Sequence, residues 1–161
     1  MCHFHLGEYK KAYKYYKISV EMDSVKYNIA ILNLIEGNYK EGWNGFDFGI
    51  SQGGRILREG HEKFDNLPFW DPNIHSESVV LIGEQGIGDE IMYSTILGDL
   101  LESVKEVFLF CDPRIKNLII RKFKNIKFID NKSVIDVNRF QSRLPIGSLP
   151  KFFRNSEEDF N

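Results

Sequence analysis

Apolar and aromatic side chains in the first third of the chain recur three and four positions apart. Leu6, Tyr9, Ala12, Tyr13, Tyr16 and Val20 share this helical period. The same grammar then returns. Gly37-Asn38-Tyr39-Lys40-Glu41-Gly42 leading to Phe46 repeats Gly7, Tyr9, Ala12 and Tyr16 at a constant offset of 30 residues. An isolated amphipathic helix does not produce a fixed offset, so residues 1–48 are expected to form repeated helical units. Glycine turns the chain between helices, and the small Ala12 and Gly42 let them approach. From Gly49 the period is lost. Gly53-Gly54 and scattered charges make 49–77 a linker, with a short helix around Ile56 to Lys63. Pro68-Phe69-Trp70-Asp71-Pro72 reads as an ordered turn with an aromatic anchor, since Pro72 holds Asp71 extended.

Beyond residue 77 the pattern changes again. Ser78-Val79-Val80-Leu81-Ile82-Gly83 is a short β-branched run suited to a strand buried on both faces. A glycine-bearing loop follows from Glu84 to Gly88. Ile91, Met92, Leu97, Leu100 and Leu101 then fit an amphipathic helix. A second strand is expected over Glu106 to Cys111, and a helix beyond Asp112-Pro113, where a proline at an early helical position costs no hydrogen bond. Ile126 to Ile129 makes a third strand. This alternation predicts an α/β fold with a parallel, Rossmann-like sheet over 78–155 and a frayed acidic tail at 156–161.

Composition narrows the class of partner. The net charge of -2 argues against nucleic acid as the main partner. The one basic stretch, Arg114, Lys116, Arg121, Lys122, Lys124 and Lys127, has aliphatic residues at helical spacing and reads as a solvated helix face. Two distant cysteines, Cys2 and Cys111, make no disulfide framework and fit a reducing compartment. Cys111 ends an apolar run and reads as a buried small hydrophobe. Cys2, His3 and His5 diverge around a helix, so no metal and no cofactor is expected. No stretch approaches the length of a membrane span and no signal pattern opens the chain, so the expected location is cytoplasmic.

The segment best placed for chemistry is Gly83-Glu84-Gln85-Gly86-Ile87-Gly88-Asp89-Glu90, between a strand's carboxyl end and a helix's amino end. Free backbone N–H groups there attract anions, and glycines admit a ligand close to the backbone. The spacing is neither G-x-G-x-x-G nor a Walker loop. On pattern alone, a purely structural strand-to-helix turn fits equally well.

The 30-residue register resembles the tetratricopeptide repeat. Gly37-Asn38-Tyr39-Lys40-Glu41-Gly42-Trp43, Phe69-Trp70-Asp71 and Glu84-Gln85-Gly86-Ile87-Gly88-Asp89-Glu90-Ile91, with Pro145-Ile146-Gly147-Ser148-Leu149-Pro150, resemble bacterial tetratricopeptide-repeat proteins fused to a glycosyltransferase domain. That domain is similar to the acceptor-side half of heptosyltransferases and, more distantly, of O-linked N-acetylglucosamine transferases. The resemblance implies the N-terminal half of the two-Rossmann GT-B fold. It implies Asp89 as the general base for an acceptor hydroxyl, with Glu84, Gln85, Gly86, Gly88 and Ser148 lining the substrate side of the cleft. The implied partners are a nucleotide-sugar and a hydroxyl acceptor, completed by a missing donor-binding half. Too few residues follow Phe152-Phe153-Arg154 for that half, so the expectation is a truncated or split glycosyltransferase, inactive alone. Two alternatives stand beside these expectations. Asp89 in a helix's first turn would also stabilise the helix by its charge. The chain as a whole would also serve as a non-catalytic module whose repeats bind a protein partner.

Overall fold

The structure, a computed structural model, describes residues 2–19, 21–84, 86–131 and 134–160. Val20, placed on the first helical face by its spacing, lies outside them. The chain divides into two compact units, Met1–Arg55 with Arg154–Asn161, and Ile56–Phe153.

The first unit is helical. Helix α1 (Cys2–His5) is followed by α2 (Tyr9–Tyr16), and α3 (Asp23–Ile35) by α4 (Tyr39–Phe46) and the short α5 (Phe48–Ser51). Gly7 and Gly37 sit between the paired helices at φ 72° and 82°. That left-handed region is open to glycine and strained for other residues. Each glycine closes the preceding helix with the same two bonds. The N–H of Gly7 donates to Phe4 O and that of Glu8 to His3 O; 30 residues on, Gly37 donates to Leu34 O and Asn38 to Asn33 O. This is the Schellman arrangement for satisfying the last carbonyls of a helix. The 30-residue offset is thus a repeat of helix, glycine turn and helix.

Small residues bring α3 and α4 together. A Cβ on Gly42 would stand 2.6 Å from Leu34 Cδ2, and one on Gly45 would stand 2.8 Å from Ala30 Cβ. The Phe46 ring lies 5.6 Å from that of Tyr27 and 5.4 Å from that of Trp43. Arg55 folds back over Phe46 at 4.5 Å and pairs with Asp47 at 2.8 Å. The acidic end, expected as a frayed tail, has local order. Glu157–Phe160 forms a 3-10 turn, Asp159 accepts bonds from the N–H groups of Asn155 and Ser156, and Phe160 lies 4.9 Å from Tyr39.

The second unit is α/β. Its strands are β1 (Ser78–Ile82), β2 (Glu106–Phe110), β3 (Lys127–Phe128) and β4 (Ser142–Pro145). All pairs are parallel, in the order β3-β2-β1-β4. Helices α6 (Ile87–Tyr93) and α7 (Leu97–Ser103) join β1 to β2, and α8 (Lys116–Lys122) joins β2 to β3. Between β3 and β4 the described residues hold no α-helix, and the one helical element among them is the 3-10 turn Val137–Arg139. After β4, a 3-10 turn Ile146–Ser148 leads into α9 (Pro150–Phe153).

Residues 56–77, expected as linker, are part of this unit. Phe64, Val80, Ile82, Phe108, Phe110, Ile129 and Phe140 form one cluster on a sheet face, with Leu57 and Leu67 packed against it. Instead of a helix over 56–63, Leu57 bridges Glu84 and His61–Phe64 makes a 3-10 turn. The segment covers a face built by other strands, so it needs no apolar period of its own. Trp70 is buried, with its ring 5.0 Å from Phe152 and 6.0 Å from Phe153. Pro68–Trp70 lies along β4: Trp70 N donates to Arg143 O at 2.8 Å, and Arg143 N to Pro68 O at 2.9 Å.

Candidate functional site

In the order β3-β2-β1-β4 the chain winds outward from β1 in one direction and then returns to the other side. The loops leaving β1 and β4 therefore diverge at a topological switch point, where open α/β sheets leave a crevice beyond their carboxyl ends. The loop after β1 is Gly83 to Gly86 and runs into α6; the turn after β4 is Ile146–Ser148. A buried side chain ties them. Glu84 is 5% exposed, and its Oε1 accepts a bond from Gly147 N at 3.0 Å.

The sequence-predicted residues separate accordingly. Glu84 and Ser148 are buried. Glu84 turns inward rather than toward a ligand, because the tight turn at 146–148 needs an acceptor for Gly147 N–H. Gly86, Gly88 and Asp89 remain exposed on the rim. Asp89 stands in the first turn of α6, and a Cβ on Gly86 would overlap its carboxylate. Gln85 lies outside the described residues.

Beneath the loop is a charge cluster that the sequence pattern did not disclose. Glu90 is fully buried, and its Oε1 accepts from Arg58 Nε at 3.0 Å and from the same guanidinium's terminal nitrogen at 2.8 Å. Its Oε2 accepts from Asp112 N at 2.9 Å. Asp112 lies 3.5 Å from Arg58, pairs with Arg114 at 2.9 Å and caps the turn that opens at Pro113. Burial pushes the Glu90 carboxyl above its ordinary value, against the opposing pull of the Asp112 N–H and Arg58. Asp112 is held well below the usual carboxylate range, chiefly by the Arg114 side-chain and backbone bonds. Gly83 is fitted to this cluster. A Cβ there would overlap the Glu90 carboxylate and stand 3.0 Å from Cys111 Cα. Cys111 is buried, and its thiol is pushed up to about 12 by burial and then by the Glu90 charge, which leaves it inert as a nucleophile.

Arg58 carried no signal in its stretch of scattered charges, and it meets Glu90 across 32 positions. Among the described residues no group of three His, Cys, Asp or Glu side chains is arranged to hold a metal ion, and no helix is long and apolar enough to cross a membrane. Comparison with protein-family models, curated proteins and solved structures gives no match to this chain.

Proposed function

We propose that the α/β unit is the acceptor-side half of a GT-B-type glycosyltransferase, and that the helical unit is a pair of tetratricopeptide-like repeats. The observation that carries this reading is the topological switch point between β1 and β4. The two loops that leave it are tied by Glu84, and Gly86, Gly88 and Asp89 stand exposed beside the tie. The sequence resemblance of the same loop supplies the chemistry. In this mechanism Asp89 takes the proton from an acceptor hydroxyl as its oxygen attacks the anomeric carbon of the sugar and the nucleoside diphosphate leaves. Gly86 and Gly88 allow substrate close to the backbone. Glu84 and Glu90 act from below, holding the loop. The nucleotide-sugar is bound mainly by a donor-binding α/β half.

A second reading, a protein-interaction module, is favoured by the exposed apolar side chains Leu6, Tyr15, Ile18 and Met22 of the helical unit.

Calorimetric titration with UDP-, GDP- and ADP-sugars, of the chain alone and mixed with a candidate donor-binding polypeptide encoded beside it, separates the two. Binding and sugar transfer in the mixture, abolished by Asp89→Asn with the fold intact, is the expected result. No nucleotide-sugar binding in either setting would discard the enzyme reading and leave the interaction module.

A further inference from the structure

Between Pro113 and Ile129 the chain carries six basic residues and no acidic one, in a protein whose net charge is -2. Two of the six are answered locally: Arg114 pairs with Asp112, and Lys127 with Glu106. Lys116, Arg121, Lys122 and Lys124 are exposed and have no carboxylate within ion-pair distance among the described residues. The ammonium nitrogens of Lys116 and Lys122 lie over the rings of Phe128 and Phe123, 5.8 Å and 5.1 Å from their centroids.

Helix α8 displays aliphatic groups on the same outer surface. Ile115 and Ile119 face the core, at 2% exposure each. At 100° per residue, Asn117 and Arg121 then point directly outward, and Leu118 and Ile120 form the two shoulders beside them. Those shoulders are 50% and 37% exposed.

We propose that this face, α8 with the turn through Lys124, docks on an anionic phospholipid surface. Unpaired cations around two aliphatic shoulders match the interfacial layer of a bilayer, where phosphates and the first acyl carbons lie within a few ångströms of each other. A nucleic acid would call for exposed rings on which bases stack, whereas Phe123 and Phe128 are half-buried. The proposal is independent of the chemistry assigned to the loop after β1, and it needs no spanning helix.

Sedimentation of the full chain with mixed phosphatidylglycerol–phosphatidylcholine vesicles tests it. Binding is expected at low ionic strength, declining as salt is raised, with none to pure phosphatidylcholine. Each cation near an anionic leaflet contributes about a fivefold factor in partitioning. The combined Lys116→Gln, Arg121→Gln, Lys122→Gln and Lys124→Gln variant is therefore expected to bind on the order of a few hundredfold more weakly. Leu118→Ser with Ile120→Ser is expected to weaken binding by about tenfold while keeping its salt dependence. All these positions are exposed, so circular-dichroism melts should coincide with that of the parent chain. Failure to sediment with anionic vesicles at low salt overturns the proposal, as does equal sedimentation of the fourfold variant. Retention by polyglutamate or polyuridylate without vesicle binding overturns it too, and passes the face to a different polyanion.

Discussion

The helical unit and the α/β unit are held together in different ways. In the first, the buried apolar residues among those described are Ala12, Ala30, Leu32 and Phe46, and the rest of the contact is made by half-buried rings and by glycines that bring backbones close. Its buried indole N–H, on Trp43, has no hydrogen-bond partner among the described residues. The α/β unit has a continuous core, with Val79, Val80, Leu81 and Ile82 fully buried in β1 alone. Its buried carboxylates, Glu84, Glu90 and Asp112, all accept hydrogen bonds. An unmet buried donor costs about 1–3 kcal/mol, so the helical unit tolerates a defect that the sheet unit avoids. Dense cores exchange amide hydrogens slowest. One unit is suited to adjust its surface, and the other to hold loops at fixed positions.

Substitutions can break or sharpen that contrast. Glu90→Ala should have the largest effect, about 3–5 kcal/mol in chemical denaturation, because it strands the buried Asp112 N–H and takes from Arg58 its nearest carboxylate, leaving it Asp112 at 3.5 Å. Gly83→Ala should cost about 2–3 kcal/mol, since the added methyl meets the Glu90 carboxylate on one side and immovable Cys111 backbone on the other. If it is tolerated without loss, the tightness ascribed to the sheet unit is wrong.

Acidity probes the same carboxyl. The folded state holds the Glu90 proton more tightly than the unfolded chain, whose carboxyl titrates near 4.5, so native stability gains as pH falls through the raised value toward 4.5. Glu90→Gln lacks this term. The stability advantage of the parent chain over Glu90→Gln should widen on acidification, read from paired melts across that window. Asp112, with its lowered pKa, gives the opposite slope at lower pH, but both chains share it.

In the helical unit, Gly37→Ala places a methyl at φ 82° with nothing near it. The loss should be about 1 kcal/mol, from backbone strain alone, and hydrogen exchange should report it in α3 and α4 but not in β1. The smallest effect is expected at the rim. Asp89→Asn should alter stability by no more than about 0.5 kcal/mol, since the carboxylate is exposed, and a larger loss would mark Asp89 as a structural residue of α6.

Strand β1 was legible as a β-branched run closed by a glycine and β2 as an apolar run closed by Asp112-Pro113, whereas β3 keeps only Lys127–Phe128 of the expected run and is not buried on both faces. Strand β4 was not. Ser142-Arg143-Leu144-Pro145 has one aliphatic residue, and it becomes a strand because β1 on one side and Pro68–Trp70 on the other supply its partners. The helical offset was legible through glycines, since positive φ leaves a direct mark on sequence. The loop after β1 was located by its glycines, but the inward turn of Glu84 depends on a turn 63 residues away. The Arg58–Glu90–Asp112 cluster left no trace, because charges that answer one another across long separations have no local period.

The β-bridge that Phe69 makes with Arg143 of β4 has a consequence for how this protein meets its own copies. An unpaired strand edge is a template on which another chain can polymerise. Here the outer side of β4 is already bonded at Arg143 by Pro68 and Trp70, and among the described residues the opposite margin is the two-residue β3. A fibre grows by adding strands at free margins, and the folded sheet offers a second chain little margin to extend.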